Sequence, residues 1–379
     1  MGAALILCAL WTVLGSIEIP ISMRSDFLTT YTAARMASQG SYARLYDPMR
    51  FQQRVHDTDP EALALPMVRP QFYAFLISPL AQLSHPTAFW VWLGIQVALL
   101  FGCWIWAVGR FGPDALIWGA LSLPCGLGIF HAQDCVFMLA IAIGGYTLAK
   151  RKSYWLAGAV FALALMKFHL VVFLAPAMLL SRRWKMFGGF VGMGAVLAAW
   201  CVNLGGSQGL ETFAALLRNK DMVQLNPTPE LMISIQGLLA NLHADSEILR
   251  VALALAALAA AAFVLKDRQP LWRWMSLSIT ASLFAAPHVY GYDAAIMVLP
   301  VWLVQAYSSK TATRVAFAAF ATPLPYMAGL AGAPWSIVTP LCLAACFGTL
   351  TWEAWMARRA GRVGLEDSPA ELTLAEPVL

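Results

Sequence analysis

The chain has 379 residues, of which 60% are hydrophobic and 12% charged. Soluble domains carry about a quarter charged residues, so this sequence has too few to coat a water-soluble globule, and lipid must surround most of its surface. The net charge of +5 is modest, and the Lys and Arg residues come as short clusters between apolar runs, a pattern of membrane topology rather than of a nucleic-acid-binding patch.

The first apolar run, 2–22, lacks a basic leading region and a small-residue cleavage site, and reads as a retained span. A segment predicted to lie outside, 24–86, follows. Within it Phe27 to Gln39 has helical spacing, with Phe27, Tyr31 and Ala34 on one stripe and Gly40 as a stop signal. Phe72 to Leu83 is too short to span and precedes His85-Pro86, so it is expected as an interfacial helix.

A span needs about 20 apolar residues. Further runs near 87–108, 114–130, 134–149, 153–166, 168–180, 185–204, 247–265, 271–286, 290–307, 312–331 and 334–356 bring the expected number to roughly twelve. The segment 205–246 is expected to carry outer helices around Gln208–Arg218 and Leu231–Leu242. Seven cysteines are scattered without a CxxC pair, and Cys125 and Cys135 lie near the ends of neighbouring runs. The chain therefore reads as one all-α polytopic membrane domain, 1–364, followed by an acidic, Pro-containing tail, 365–379, expected to be disordered and cytoplasmic.

Orientation follows from the basic residues. Lys150-Arg151-Lys152, Arg182-Arg183-Lys185, Lys266-Arg268, Lys310-Arg314 and Arg358-Arg359-Arg362 fall in alternate loops, and placing them all in the cytoplasm puts both termini inside. One segment disagrees, because 24–86 is outside yet carries Arg24, Arg35, Arg44, Arg50, Arg54 and Arg69. The stretch 153–180 reads best as a hairpin. As one helix it would bury Lys167 at the membrane centre, at a cost of roughly 2.5–3.5 kcal/mol. As a hairpin, Lys167-Phe168-His169 forms its outer turn, recessed because each arm is only roughly 20 Å long.

Asp26 opens the helix at 27–39 and has two readings. Either it or Ser25 caps that helix through the free N–H groups, or its carboxylate does chemistry. A carboxylate engaged in capping loses basicity, so the two roles coexist poorly. Lys167 either snorkels to headgroups or binds an anion. His131, His169 and His288 either hydrogen-bond at an interface or face a ligand. Asp293 starts a helical run and would complement its dipole.

Ser25-Asp26-Phe27, Tyr31, Ala33-Ala34-Arg35, Gly40 and Leu45-Tyr46-Asp47 resemble the opening signature of glycosyltransferase family 87. Those enzymes are C-type (GT-C) membrane glycosyltransferases, similar to polyprenol-phosphate-mannose-dependent mannosyltransferases. Phe72-Tyr73 with Ser78-Pro79-Leu80, then Gln133, Lys167, and Pro287-His288 with Tyr292-Asp293 continue the likeness in order. The chain departs from the pattern at Ala74-Phe75 in place of a proline pair, at Ala132 in place of a glycine, and at Phe168-His169 after Lys167, where proline is usual.

The resemblance implies a GT-C-like bundle that transfers a hexose from a polyprenyl phosphate to a glycolipid or glycan hydroxyl, with mannose expected first and arabinose or another sugar left open. Its active site would lie on the non-cytoplasmic side of a bacterial inner membrane. Asp26 would be the general base. Lys167, His288, His169, Gln133, His131, Arg35, Tyr31, Tyr73 and Asp293 would bind the donor phosphate and substrates, where cations and N–H donors stabilise the leaving anion. No cofactor, metal or nucleic acid is expected. Asp57-Thr58-Asp59 spells a D-x-D, but a donor with one phosphate and no nucleotide does not demand a bridging metal. A secondary transporter or flippase is the rival reading. Transporters show internal repeats and midplane ionisable groups, whereas here no repeat is visible and the ionisable residues gather toward one face.

Overall fold

The computed structural model describes residues 16, 19–62, 65–218, 228–244, 246–267 and 269–360. The first expected span and the tail lie largely or wholly outside these residues, as do 219–227 of the second outer segment. The described chain is helical, with no strand among the described residues. Five helical runs are long and apolar enough to cross a membrane: His85–Phe111, Tyr154–Val171, Trp184–Arg218, Glu247–Leu265 and Trp335–Arg359. Together with the shorter apolar helix Cys135–Lys150, they make this an all-α, multi-pass membrane protein.

The outer segment opens with α1 (Asp26–Ser38). It ends where the sequence predicts: Gly40 takes a left-handed φ of 70°, and Ser41 N–H reaches back to the Met36 carbonyl. Helix α2 (Pro48–His56) has Pro at its first position, and the Asp47 side chain accepts from the N–H groups of Met49 and Arg50. Helix α3 (Gln71–Ile77) continues into a 3₁₀ turn, Ser78–Gln82, that packs on α1. Helix α4 (His85–Phe111) follows.

The expected run 114–130 forms two short helices, α5 (Ala115–Leu121) and α6 (Leu123–Phe130), because Ser122 breaks the ladder before Pro124. Helix α7 (Cys135–Lys150) pairs with α8 (Tyr154–Ala162) across the basic turn 151–153. Beyond α8 the chain tightens into a 3₁₀ stretch, Leu163–Val171, broken at Lys167 with φ −132° and ψ 55°. It then resumes as α9 (Leu174–Leu180). The Phe173 N–H, at the junction with α9, is satisfied by Ser282 Oγ at 3.1 Å.

Helix α10 (Trp184–Arg218) shows that 153–180 turns back on itself. A methyl group on Gly158 would fall on the Met186 carbonyl, and one on Gly189 on the Trp155 carbonyl. The turn at 151 and the turn at 183 therefore lie at the same end of the molecule, as the hairpin reading requires. Helix α10 itself bends at Gly206 (φ 65°), which separates the apolar arm from the Gln208–Arg218 arm.

The remaining helices are α11 (Ile235–Asn241), α12 (Glu247–Leu265), α13 (Leu271–Ala285), α14 (Val298–Tyr307), α15 (Thr311–Ala321), α16 (Leu324–Leu330) and α17 (Val338–Arg359). The expected run 312–331 thus also divides, at Thr322-Pro323. Helix α13 is the central post, buried from Leu271 to Leu283. Its Ser278, Thr280 and Ser282 hydroxyls donate back to carbonyls one turn earlier, so a polar helix can stand in an apolar core. Helices α4 and α12 instead expose Trp90, Phe101, Ile105, Ile248, Leu255 and Phe263, the lipid-facing pattern.

Candidate active site

A 410 Å³ cavity opens where the loops at the ends of α6, α8 and α13 meet α1. Its size suits a ligand of sugar-phosphate dimensions. Eight of the residues singled out in the sequence line it: Asp26, Tyr73, His131, Gln133, Lys167, His169, His288 and Asp293. The other two lie elsewhere. Arg35 donates to Thr58 Oγ1 at 2.9 Å, and the Tyr31 hydroxyl donates to the Leu83 carbonyl at 2.8 Å while its ring packs on Phe27 and His85.

Asp26 stands in the first turn of α1, with Ser25 as the residue before it. Ser25 makes no side-chain capping bond. The Asp26 carboxylate turns instead to the cavity, where Oδ1 accepts from Gln133 Nε2 at 2.7 Å. Oδ2 receives a longer contact from Ser25 Oγ at 3.3 Å and lies 3.9 Å from His131 Nδ1. The side chain is 23% exposed, so solvent or substrate reaches it.

Gln133 reaches Asp26 because of how α6 ends. Gln133 N–H bonds back to the Gly128 carbonyl and Ala132 N–H to that of Ile129, a Schellman closure with Ala132 in the left-handed position at φ 49°. That is where the sequence shows alanine in place of glycine. The Ala132 carbonyl accepts from Trp92 Nε1 at 2.8 Å. Buried Gln96 adds a bond to the Gln133 carbonyl, with its amide nitrogen turned toward that oxygen.

Behind Gln133 lies a buried ion cluster. Lys167 Nζ lies 2.6 Å from Asp293 Oδ1 and 3.1 Å from Asp134 Oδ1, and all three side chains are almost wholly buried. Arg69 grips Asp134 through two bonds of 2.9 and 3.2 Å. Burial favours the neutral form of Arg69, but Asp134 outweighs this and raises its pKa above the ordinary arginine value. Two cations thus face two carboxylates, and the cluster balances. Asp293 also accepts from the Tyr290 N–H at 3.0 Å, so it closes the turn at 291–297 and holds Lys167 at once. Lys167 Nζ sits 5.4 Å from the centre of the Tyr292 ring.

The imidazoles of His169 and His288 meet edge to face with ring centres 5.7 Å apart. Burial pushes the His288 pKa below its ordinary value, so at neutral pH it is an uncharged hydrogen-bonding group rather than a cation. Arg69 and Asp134 were not among the sequence candidates. Their signal was faint: an arginine ahead of Pro70, and an acid next to Gln133 at the mouth of an apolar run. The two acids of Asp57-Thr58-Asp59 are held by arginines, Asp57 by Arg54 at 3.2 Å and Asp59 by Arg24 at 2.7 Å. Among the described residues, no group of three or more His, Cys, Asp or Glu side chains is placed to hold a metal ion.

The family model of glycosyltransferase family 87 matches residues 69–287, more than half of the 379 residues. Arg69, Gln133, Asp134 and Lys167 fall within the match, and Asp26, His288 and Asp293 outside it. No curated protein and no solved structure matches the chain.

Proposed function

The chain belongs to glycosyltransferase family 87, and from that premise we propose that it moves a hexosyl group, mannose in the first instance, from a polyprenyl phosphate to an acceptor hydroxyl. The acceptor is a glycolipid or glycan, and the reaction takes place on the non-cytoplasmic side. One observation carries this reading: the Asp26 carboxylate lines the same cavity as Lys167, His169 and His288.

Asp26 takes the proton of the acceptor hydroxyl as that oxygen attacks the anomeric carbon. The bond from that carbon to the phosphate oxygen breaks, and the phosphate leaves with the electron pair. The imidazoles of His169 and His288 offer N–H donors to that anion, and Lys167 stands beside them, held by Asp134 and Asp293. Tyr73, His131, Gln133 and Asp293 complete the walls. Arg35 and Tyr31 have no place in this scheme, because their side chains are committed to Thr58 and Leu83.

The test uses membrane vesicles holding the full chain, with radiolabelled polyprenyl-phosphate mannose and, as a second donor, polyprenyl-phosphate arabinose. Label is expected in the vesicle glycolipids or glycans with wild type. With Asp26→Asn it is expected to fall roughly 10²–10⁴-fold while folding is kept. No transfer from either donor by wild type overturns the donor class. A folded Asp26→Asn that keeps more than about a tenth of turnover removes Asp26 as the base, because that is well short of the loss expected for one.

A further inference from the structure

We propose that Gln133 is a positioning residue, which holds the Asp26 carboxylate in one orientation and is itself oriented by the two cations Arg69 and Lys167. The proposal rests on the reading of Asp26 as the general base.

The argument begins with the two ends of one amide. Gln133 Nε2 lies 2.7 Å from Asp26 Oδ1. Gln133 Oε1 lies 3.5 Å from Lys167 Nζ and 3.5 Å from Arg69 Nη2. At that length the latter contacts are weak as hydrogen bonds. They still decide which way the amide faces. Turned over, it would set its NH₂ group against two cations and its carbonyl oxygen against a carboxylate, and every contact would be repulsive. The ion cluster therefore fixes the polarity of Gln133, and Gln133 presents an N–H to Asp26.

The backbone beneath is equally constrained. Trp92 and Gln96 from α4 bond to consecutive carbonyls, Ala132 and Gln133, and hold open a left-handed Ala132. A non-glycine residue persists in that conformation only where its surroundings enforce it. Side chain and main chain of Gln133 are thus located by different helices, and both sets of contacts converge on Asp26.

With Oδ1 occupied, Oδ2 is the oxygen left to take the acceptor proton. Its contact with Ser25 is 3.3 Å long and gives way readily to a substrate hydroxyl. Gln133 gains no proton and loses none. Its benefit is therefore geometric: a misplacement of about 1 Å at a reacting group can cost about 100-fold in rate.

The experiment measures initial rates in vesicles with radiolabelled polyprenyl-phosphate mannose (or the arabinose donor, if that is the one used) as a function of donor concentration. Gln133→Leu, Gln133→Glu and Gln133→Asn are compared with wild type and Asp26→Asn. Gln133→Leu removes the donor to Oδ1, and Gln133→Asn draws the amide back from one of its partners. Gln133→Glu keeps the shape but puts a second carboxylate against Asp26. Each is expected to lower kcat about 10–100-fold, with the apparent KM for the donor within about twofold of wild type. A raised KM with kcat retained would instead make Gln133 a substrate contact and overturn the proposal. So would full kcat in any folded variant of the three while Asp26→Asn is inactive, which defeats this inference alone. An active Asp26→Asn defeats the underlying reading and this one with it. If none of the three variants folds, Gln133 serves the fold rather than the carboxylate, and the proposal fails.

Discussion

Lys167 and Asp293 are locked together, nitrogen to oxygen at 2.6 Å, with both side chains almost wholly shielded from solvent. Such a pair contributes little net stability compared with a well-packed apolar pair, but removing one partner strands a charge. Lys167→Met is therefore expected to destabilise the fold by about 3–5 kcal/mol, with Asp134 and Asp293 left facing each other. Lys167→Met combined with Asp293→Asn should recover part of that loss. Thermal melting in detergent measures both. If Lys167→Met melts like wild type, the lysine is not the keystone of the cluster.

Ala132 offers a change in the opposite direction. Its left-handed backbone costs an alanine about 1–2 kcal/mol relative to the right-handed region, and glycine escapes most of this. Ala132→Gly is expected to stabilise the protein by about 1 kcal/mol or less once the greater freedom of unfolded glycine is counted. Turnover should stay at wild-type level, because Trp92 and Gln96 still hold the carbonyls. A lower melting temperature would show that the methyl group is needed for packing.

His288 gives a pH dependence whose sign can be worked out. Its folded pKa lies below the ordinary value of 6.5 because of burial. Above that value both folded and unfolded chains carry a neutral imidazole, and the residue has no effect. As pH falls below about 6.5, the unfolded chain takes up a proton that the folded chain refuses, so stability drops until the folded pKa is reached. Melting temperatures at pH 7.5 and 5.5 should therefore converge in His288→Asn relative to wild type. Equal drops in the two proteins would remove His288 as a source of acid sensitivity.

The turn-back of 153–180 predicts labelling. Cysteines introduced at Lys152 and at Arg182 are expected to react with an impermeant thiol reagent from the same side of sealed vesicles. One at His56, in the outer segment, should react from the other. Opposite sidedness for 152 and 182 would require a straight crossing through Lys167, and the hairpin would be lost.

Much of this arrangement was legible in the chain because its parts are local. Gly40 ends α1, the basic clusters mark 151 and 183 as the same end, and a lone Lys167 in an apolar stretch marks a break. Lys167 stood out because a charge is scarce in an apolar stretch, whereas Gln133 and the chemical role of Asp26 were singled out by the family resemblance. What was not legible depends on contacts distant in sequence. Arg69 gains its meaning only from Asp134, 65 residues away. Arg35 lies on the same helix as Asp26 but nine residues on, roughly 13 Å further along its axis, too far to share the cavity. The division of 114–130 and 312–331 into short helices follows from Pro124 and Pro323, whose effect on a ladder the apolar run concealed.

Gly158 and Gly189 fix a seam between α8 and α10 near the turns at 151 and 183. Each sits against a main-chain carbonyl of the other helix, Met186 for the first and Trp155 for the second. No side chain separates α8 from α10 at that level, and backbones this close resist being parted. If the donor is the prenyl-linked sugar proposed above, a tail that enters sideways from the bilayer is expected to pass between some other pair of helices, with this seam staying shut.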